Sequence, residues 1–258
     1  MLAFTDIGAA ARLPTLLIVH GLFGSARNWG AIARRLSEDR RVIAVDMRNH
    51  GQSFRADSQS YADMAGDLAE VIDIVGAPVD MLGHSMGGKA AMELALTRGE
   101  LIDRLIVADI APVTYGHSQT HLIRAMRGLE LNGLSARSDA DRRLAGAVPD
   151  DGVRAFLLQS LDLKADPPEW RLNLDVLERE MDGITGWPGT AGRFEGPSLF
   201  LTGALSDYVR AEHRETIRRL FPNVKFARIP GAGHWLHAER PREFEAAVRA
   251  FLGRPSGG

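Results

Sequence analysis

The chain reads as an α/β protein: a mostly parallel central sheet flanked by helices, with a helical lid inserted into it. Two patterns predict this. Short unbroken apolar runs of strand length alternate with helices that carry a single apolar stripe, the look of parallel strands covered on both faces. That alternation stops between 112 and 192 and then resumes. Size agrees, because 258 residues with 45% hydrophobic and 25% charged content can bury one large core.

In chain order, residues 1 to 12 hold at most one weak strand. Leu16-Leu17-Ile18-Val19 is the first buried run and ends in His20-Gly21-Leu22-Phe23-Gly24-Ser25. Trp29, Ile32, Ala33 and Leu36 then fall on one helical face. Arg41 to Asp46 is strand again, and the helix after it carries Met64, Leu68, Val71, Ile72 and Val75 before stopping near Gly76 and Pro78. Val79, Met81 and Leu82 open the next strand, with a small-residue helix from Gly88 to about Leu96, and Ile102 to Ile110 is a further strand. From Pro112 to Gly192 the pattern is helical, broken by Gly133, Gly146, Pro149, Pro167-Pro168 and Gly183. That is too long for a loop and predicts a lid over 112–192 between core segments 1–111 and 193–258. Ser198 to Thr202 is strand, Ala211 to Phe221 helix and Val224 to Ile229 strand. The loop Gly231 to Trp235 then leads to a last helix carrying Phe244, Val248, Phe251 and Leu252.

Composition excludes several functions. With 31 basic and 33 acidic residues the net charge is −2, so no basic field draws nucleic acid. Zero cysteines rule out disulfides, thiolate metal sites and a cysteine nucleophile. No apolar run reaches the roughly 18 residues of a membrane span, and no basic residue precedes Arg12, so no signal peptide is read. A cytoplasmic protein, monomeric or a small homo-oligomer, is the expectation.

The chemistry centres on Gly83-His84-Ser85-Met86-Gly87, a G-x-S-x-G between strand and helix. In such an elbow the serine occupies a strained turn that lifts its hydroxyl off the sheet, and the flanking glycines let strand and helix approach. The plain alternative is a glycine turn with an idle serine. Gly83 to Lys89 also imitates a phosphate loop, but Ala90 stands where that motif needs Ser or Thr for magnesium.

Serine needs a base, itself oriented by an acid. Of eight histidines His234 is the best base: it lies on a glycine-flanked loop after the last strand, and the order serine, acid, histidine suits an elbow. His237 would face elsewhere; His20, His50 and His84 read as loop braces; His117 and His121, spaced i, i+4, lack a third metal ligand nearby and read as a solvated face. Two acids compete. Asp109 ends the strand beside the elbow strand, whereas Asp207 follows Ser206 after the penultimate strand, one residue late for the usual position. Asp109 is favoured, with Ser206 as a second partner for His234. Oxyanion donors would be the Met86 N–H and, from the His-Gly-Leu-Phe-Gly turn, Leu22 N–H with Phe23 as the alternative. Phe156, Leu157, Trp170 and Trp187 are candidate acyl-pocket linings, though each reads more readily as plain lid core.

HGLFGSARNW (20–29), VDMRNHGQS (45–53), GHSMGGKAAM (83–92), ADIAPVTY (108–115) and GAGHWLHAERP (231–241) together resemble the α/β-hydrolase superfamily, more closely its YbfF-like and abhydrolase-domain-11-like esterases. The resemblance spans nearly all of the chain outside the lid. It implies an α/β-hydrolase fold with an eight-stranded sheet, no cofactor, and Ser85 and His234 in a catalytic triad with the acid from ADIAP, Asp109, and Ser206 assisting. The departure is Asp207 in GALSDYV, which keeps the acid open. The expected activity is a serine esterase acting on short to medium acyl esters or acyl-CoA thioesters through an acyl-enzyme. A carbon–carbon bond hydrolase, a ligand-binding protein with a vestigial triad and a nucleotide hydrolase are the rivals.

Overall fold

A computed structural model describes residues 1–9 and 12–253. Residues 10 and 11 of the weak N-terminal stretch and 254–258 of the second core segment lie outside the described residues. In chain order the first half comprises β1 (Phe4–Ile7), β2 (Leu16–Val19), α1 (Gly30–Leu36), β3 (Val42–Val45), α2 (Tyr61–Val75), β4 (Val79–His84), α3 (Met86–Thr97) and β5 (Ile102–Ala108). An insert follows with α4 (Thr120–Gly128), α5 (Arg137–Leu144), α6 (Asp151–Leu158), β6 (Leu161–Asp162), β7 (Glu169–Trp170), α7 (Leu174–Arg179) and α8 (Met181–Thr185). The chain closes with β8 (Ser198–Gly203), α9 (His213–Leu220), β9 (Val224–Ile229), α10 (Leu236–Glu239) and α11 (Pro241–Leu252).

The sheet order is β1-β3-β2-β4-β5-β8-β9, with only β1 antiparallel to its neighbour. Strands β2 and β3 are buried at every position, as their unbroken apolar runs require. Helices cover both faces: Leu17, Val19, Met81 and Val107 pack with the stripe of α2, while Ile18, Leu82 and Ala108 pack with α1 and α11. Strand order reverses between β2 and β4, so the crevice for a ligand opens beyond their carboxyl ends.

Three expectations need correction. The resemblance implies eight strands, but the described residues carry seven in this sheet, because a single strand, β1, precedes β2. Gly183 does not interrupt a helix, since it lies inside α8. The insert is also not purely helical. Leu161 and Asp162 pair with Trp170 and Glu169 in a two-residue antiparallel ladder, too short to leave an alternating pattern in the sequence.

Candidate active site

The elbow forms because β4 runs into α3 through one residue. Ser85 sits there with φ 52 and ψ −120, a left-handed backbone that a non-glycine residue adopts only under constraint from its surroundings. The flanking glycines supply the room: a Cβ on Gly87 would lie 2.4 Å from the His20 carbonyl oxygen, and one on Gly83 2.4 Å from the Gly87 carbonyl oxygen. The serine hydroxyl therefore stands clear of the sheet at the start of α3.

His234 and Asp109 meet it there. His234 Nε2 lies 3.1 Å from Ser85 Oγ and its Nδ1 lies 2.8 Å from Asp109 Oδ2. Asp109 follows β5 with φ 52, fully buried, and that turn of the backbone aims its carboxylate across β8. Its Oδ1 accepts the Gly203 N–H at 3.0 Å, and its Oδ2 also accepts the Ser206 hydroxyl at 2.5 Å. The carboxylate thus holds three donors, which fix its direction. Ser206 binds Asp109 and not His234, contrary to the expectation that it would touch the imidazole. Asp207 is exposed, and only its backbone carbonyl is engaged, by the Arg210 guanidinium.

Four other histidines, His20, His50, His84 and His237, brace this arrangement as buried neutral rings. Burial pushes His20 down to about 4 and His50 and His237 down to about 3, and it holds His84 well below the ordinary imidazole range. His84 Nε2 donates to the His234 carbonyl at 2.9 Å. His20 receives the Met47 N–H at 2.9 Å and donates to the Gly21 carbonyl at 2.8 Å. His237 stacks on Trp29 with centroids 4.2 Å apart. His50 Nε2 accepts the Phe23 N–H at 3.2 Å. That last bond corrects the oxyanion alternative, because the Phe23 amide is already spent. Leu22 N–H has no partner among the described residues, and Met86 N–H, first in α3, has none within its helix. Both amides are available to a developing anion.

Ser85, His234, Leu22 and Met86 line a cavity of about 410 Å3, with Tyr61, Leu122, Val148, Val153, Phe156 and Ile184 among its apolar walls. Of the four proposed linings, Phe156 faces it. The other three do not. Leu157 is fully buried, one helical step of about 100° away from Phe156. Trp170 is buried with its indole N–H on the Met126 carbonyl at 2.9 Å, and Trp187 packs towards the rim of Tyr61, centroids 6.4 Å apart. Leu122, Val153 and Ile184 carry no signal beyond ordinary helix hydrophobicity, and Val148 none beyond an apolar residue in the α5–α6 connection. His117 and His121 also face the cavity, with His117 Nε2 2.9 Å from the Tyr208 hydroxyl. Among the described residues no cluster of three or more His, Asp or Glu could hold a metal, and no helix is long and apolar enough to cross a membrane.

One cavity residue is charged and buried without an acid. Lys89, 1% exposed, donates to the Thr185 and Gly186 carbonyls at 2.9 and 2.5 Å, and no carboxylate among the described residues lies within ion-pair distance. Burial pushes its ammonium down to about 7. Between that value and the ordinary 10.5 the unfolded chain is protonated and the folded chain is not, so the lysine makes stability rise with pH across this window. The rise is complete above 10.5 and is lost as pH falls through about 7. The urea midpoint of wild type relative to Lys89→Met is expected to increase from pH 7 to pH 9; a constant difference would show the amine is not desolvated.

A hydroxyl, an imidazole and a carboxylate in one hydrogen-bonded row, beside free amides and at the carboxyl edge of a parallel sheet, define a hydrolase of the nucleophile-elbow type. Residues 16–247 match the Alpha/beta hydrolase family, and the chain belongs to it. The chain is 40% identical over 260 residues to the sn-1-specific diacylglycerol lipase ABHD11 of Mus musculus, covering 97% of this chain and 85% of that one. It is 38% identical to Esterase YbfF of Escherichia coli K12, covering 92% of each. A solved structure, a marine microorganism esterase, superimposes with a TM-score of 0.91 at 36% identity over 97% of this chain and 99% of that one. The protein is a hydrolase enzyme with esterase and lipase relatives.

Proposed function

We propose that this hydrolase is a serine carboxylesterase that cleaves short to medium acyl esters, and acyl-CoA thioesters, through an acyl-enzyme. The observation that carries the reading is the unbroken row from Ser85 Oγ through His234 to Asp109, with Ser85 and His234 lining a largely apolar cavity. Relatives named esterase and lipase support an ester as the bond cleaved.

In this reading Ser85 Oγ attacks the acyl carbonyl while its proton passes to His234 Nε2. Asp109, accepting from Nδ1–H, keeps the ring in the tautomer whose Nε2 is free and stabilises the imidazolium that forms. The tetrahedral oxygen sits on the Leu22 and Met86 amides; each such donor is worth about 3 kcal/mol of barrier. His234 returns the proton to the leaving alkoxide or thiolate; water, deprotonated by the same imidazole, then attacks the acyl carbon, and the proton passes from His234 back to Ser85 Oγ as that bond breaks and the acid leaves. Residues 112–192 act as the lid, since Leu122, Val148, Val153 and Phe156 from the insert wall the acyl side of the cavity. Its volume falls in the usual range for small ligands of roughly 300–1,000 Å3, which favours short to medium chains.

A panel of p-nitrophenyl esters from acetate to palmitate, matched acyl-CoA thioesters and a vinylogous diketone tests this. The expected result is a kcat/KM maximum among acetate to octanoate, measurable thioester release, and no diketone cleavage above background. Preference for the diketone would replace the ester reading with carbon–carbon bond hydrolysis.

A further inference from the structure

The ring that touches the His234 imidazole most closely belongs to Tyr208, a residue without a part in the row just described. The two rings lie nearly parallel, with centroids 4.0 Å apart and planes inclined by 19°. On another side stands His84, its centroid 4.9 Å from that of His234, with its N–H on the His234 carbonyl. The imidazole is therefore gripped by an aromatic face as well as by hydrogen bonds at both nitrogens.

Tyr208 is itself held from four directions. Its N–H donates to Ser206 Oγ at 3.3 Å, and its carbonyl accepts the Tyr115 hydroxyl at 2.7 Å. Its own hydroxyl meets His117 Nε2 at 2.9 Å, with the His117 ring edge-on at 5.2 Å and 85°. Tyr115 packs beside it with centroids 5.2 Å apart. The stretch from Gly203 to Tyr208 thus serves both members of the relay: Gly203 and Ser206 fix the carboxylate, and Tyr208 lies against the base.

Resting on the proposed esterase reading, we propose that Tyr208 is a positioning residue for catalysis, its ring face fixing the His234 imidazole between Ser85 and Asp109 and sharing the positive charge that the imidazole acquires. As the Ser85 Oγ–carbon bond forms, the hydroxyl proton moves to Nε2 and the ring becomes a cation; the electron-rich face of an aromatic ring attracts such a cation, and the attraction grows when water is excluded. The charge arises only with that proton transfer, so this attraction acts more strongly in the transition state than in the ground state. Interactions of that kind raise kcat and leave KM alone. The Tyr208 hydroxyl, engaged by His117, is not needed for it.

The test varies the ring at constant shape. Tyr208→Phe is expected to keep most of kcat, within about three-fold, because the face remains. Tyr208→Leu is expected to lower kcat about ten- to thirty-fold with KM within about two-fold, the size of effect that a partly desolvated cation on a ring supports. Incorporating phenylalanines of rising fluorine content at 208 withdraws electron density from the face while the packing stays, so kcat is expected to fall stepwise towards the Tyr208→Leu value. Fluorinated variants as active as Tyr208→Phe would overturn the charge-sharing role. A loss carried by KM alone would make Tyr208 a substrate contact and also overturn the proposal. Because the fluorinated series preserves the fold, the test stands even where Tyr208→Leu does not fold. Ser85→Ala in parallel keeps the two claims apart: activity surviving in that variant defeats the esterase reading itself, whatever the Tyr208 series shows.

Discussion

Ser85→Ala is expected to lower kcat by about a million-fold and to abolish labelling by a fluorophosphonate probe, with the fold intact. The magnitude follows from the unit behaviour of such rows: once the nucleophile is gone, imidazole and carboxylate have nothing to activate, and only about 10^3- to 10^4-fold acceleration over water survives through the oxyanion amides and binding. The fold should tolerate the change because the Ser85 side chain faces the cavity, and the elbow is held by backbone: Ser85 N–H donates to the Ala108 carbonyl at 3.0 Å, and Lys89 N–H to the Ser85 carbonyl at 3.1 Å. Alanine at φ 52 is no more strained than serine. The readouts are steady-state hydrolysis of a p-nitrophenyl ester and in-gel fluorescence of the labelled protein. Labelling at wild-type strength in Ser85→Ala would remove Ser85 as nucleophile.

The second large effect separates the two aspartates. Asp109→Asn is expected to cost about 10^4-fold in kcat, the scale at which the wrong imidazole tautomer disables a triad. Asp109 accepts from Gly203 N–H on one oxygen and from Ser206 Oγ and His234 Nδ1 on the other. An asparagine offers one carbonyl oxygen to that set. If the oxygen serves Gly203 N–H, the amide NH2 faces His234 Nδ1, and the ring must accept there and carry its proton on Nε2. Nε2–H then points at Ser85 Oγ, and no base remains. Asp207→Asn is expected to stay within about two-fold of wild type, in keeping with exposed positions away from a site. Comparing kcat for the two variants, with near-ultraviolet circular dichroism to verify folding, decides the assignment. The reverse ranking would transfer the role to Asp207.

Why two aspartates compete in the sequence, and only one reaches the imidazole in space, shows what a chain reveals of its site. The elbow is local: strand, tight turn and small-residue helix are contiguous, so glycine spacing exposes Ser85 directly. The loop holding His234 is legible for the same reason. Asp109 depends on a departure from strand geometry at a single residue, φ 52 immediately after Ala108, which turns its carboxylate across β8 to the Gly203 amide. Apolar patterning reports where a strand runs and is silent about the residue that leaves it.

The cavity wall is harder still to read. Phe156 and Leu157 are neighbours of similar hydrophobicity, yet one faces the cavity and the other is fully buried in the main hydrophobic core, because helix rotation within the insert is settled by packing partners far away in sequence. The engaged Phe23 amide has a similar cause, since its acceptor is the ring of His50, on a different loop. The parallel sheet, by contrast, follows from the alternation of buried strands with one-faced helices.

The most direct test of the account is rapid-quench mass spectrometry of the enzyme during turnover of p-nitrophenyl butyrate. One butyryl group is predicted on the peptide containing Ser85, appearing within the first turnover and decaying as butyrate is released, and absent from Ser85→Ala. Full turnover with the acyl group on another residue, or the same adduct on Ser85→Ala protein, would contradict it.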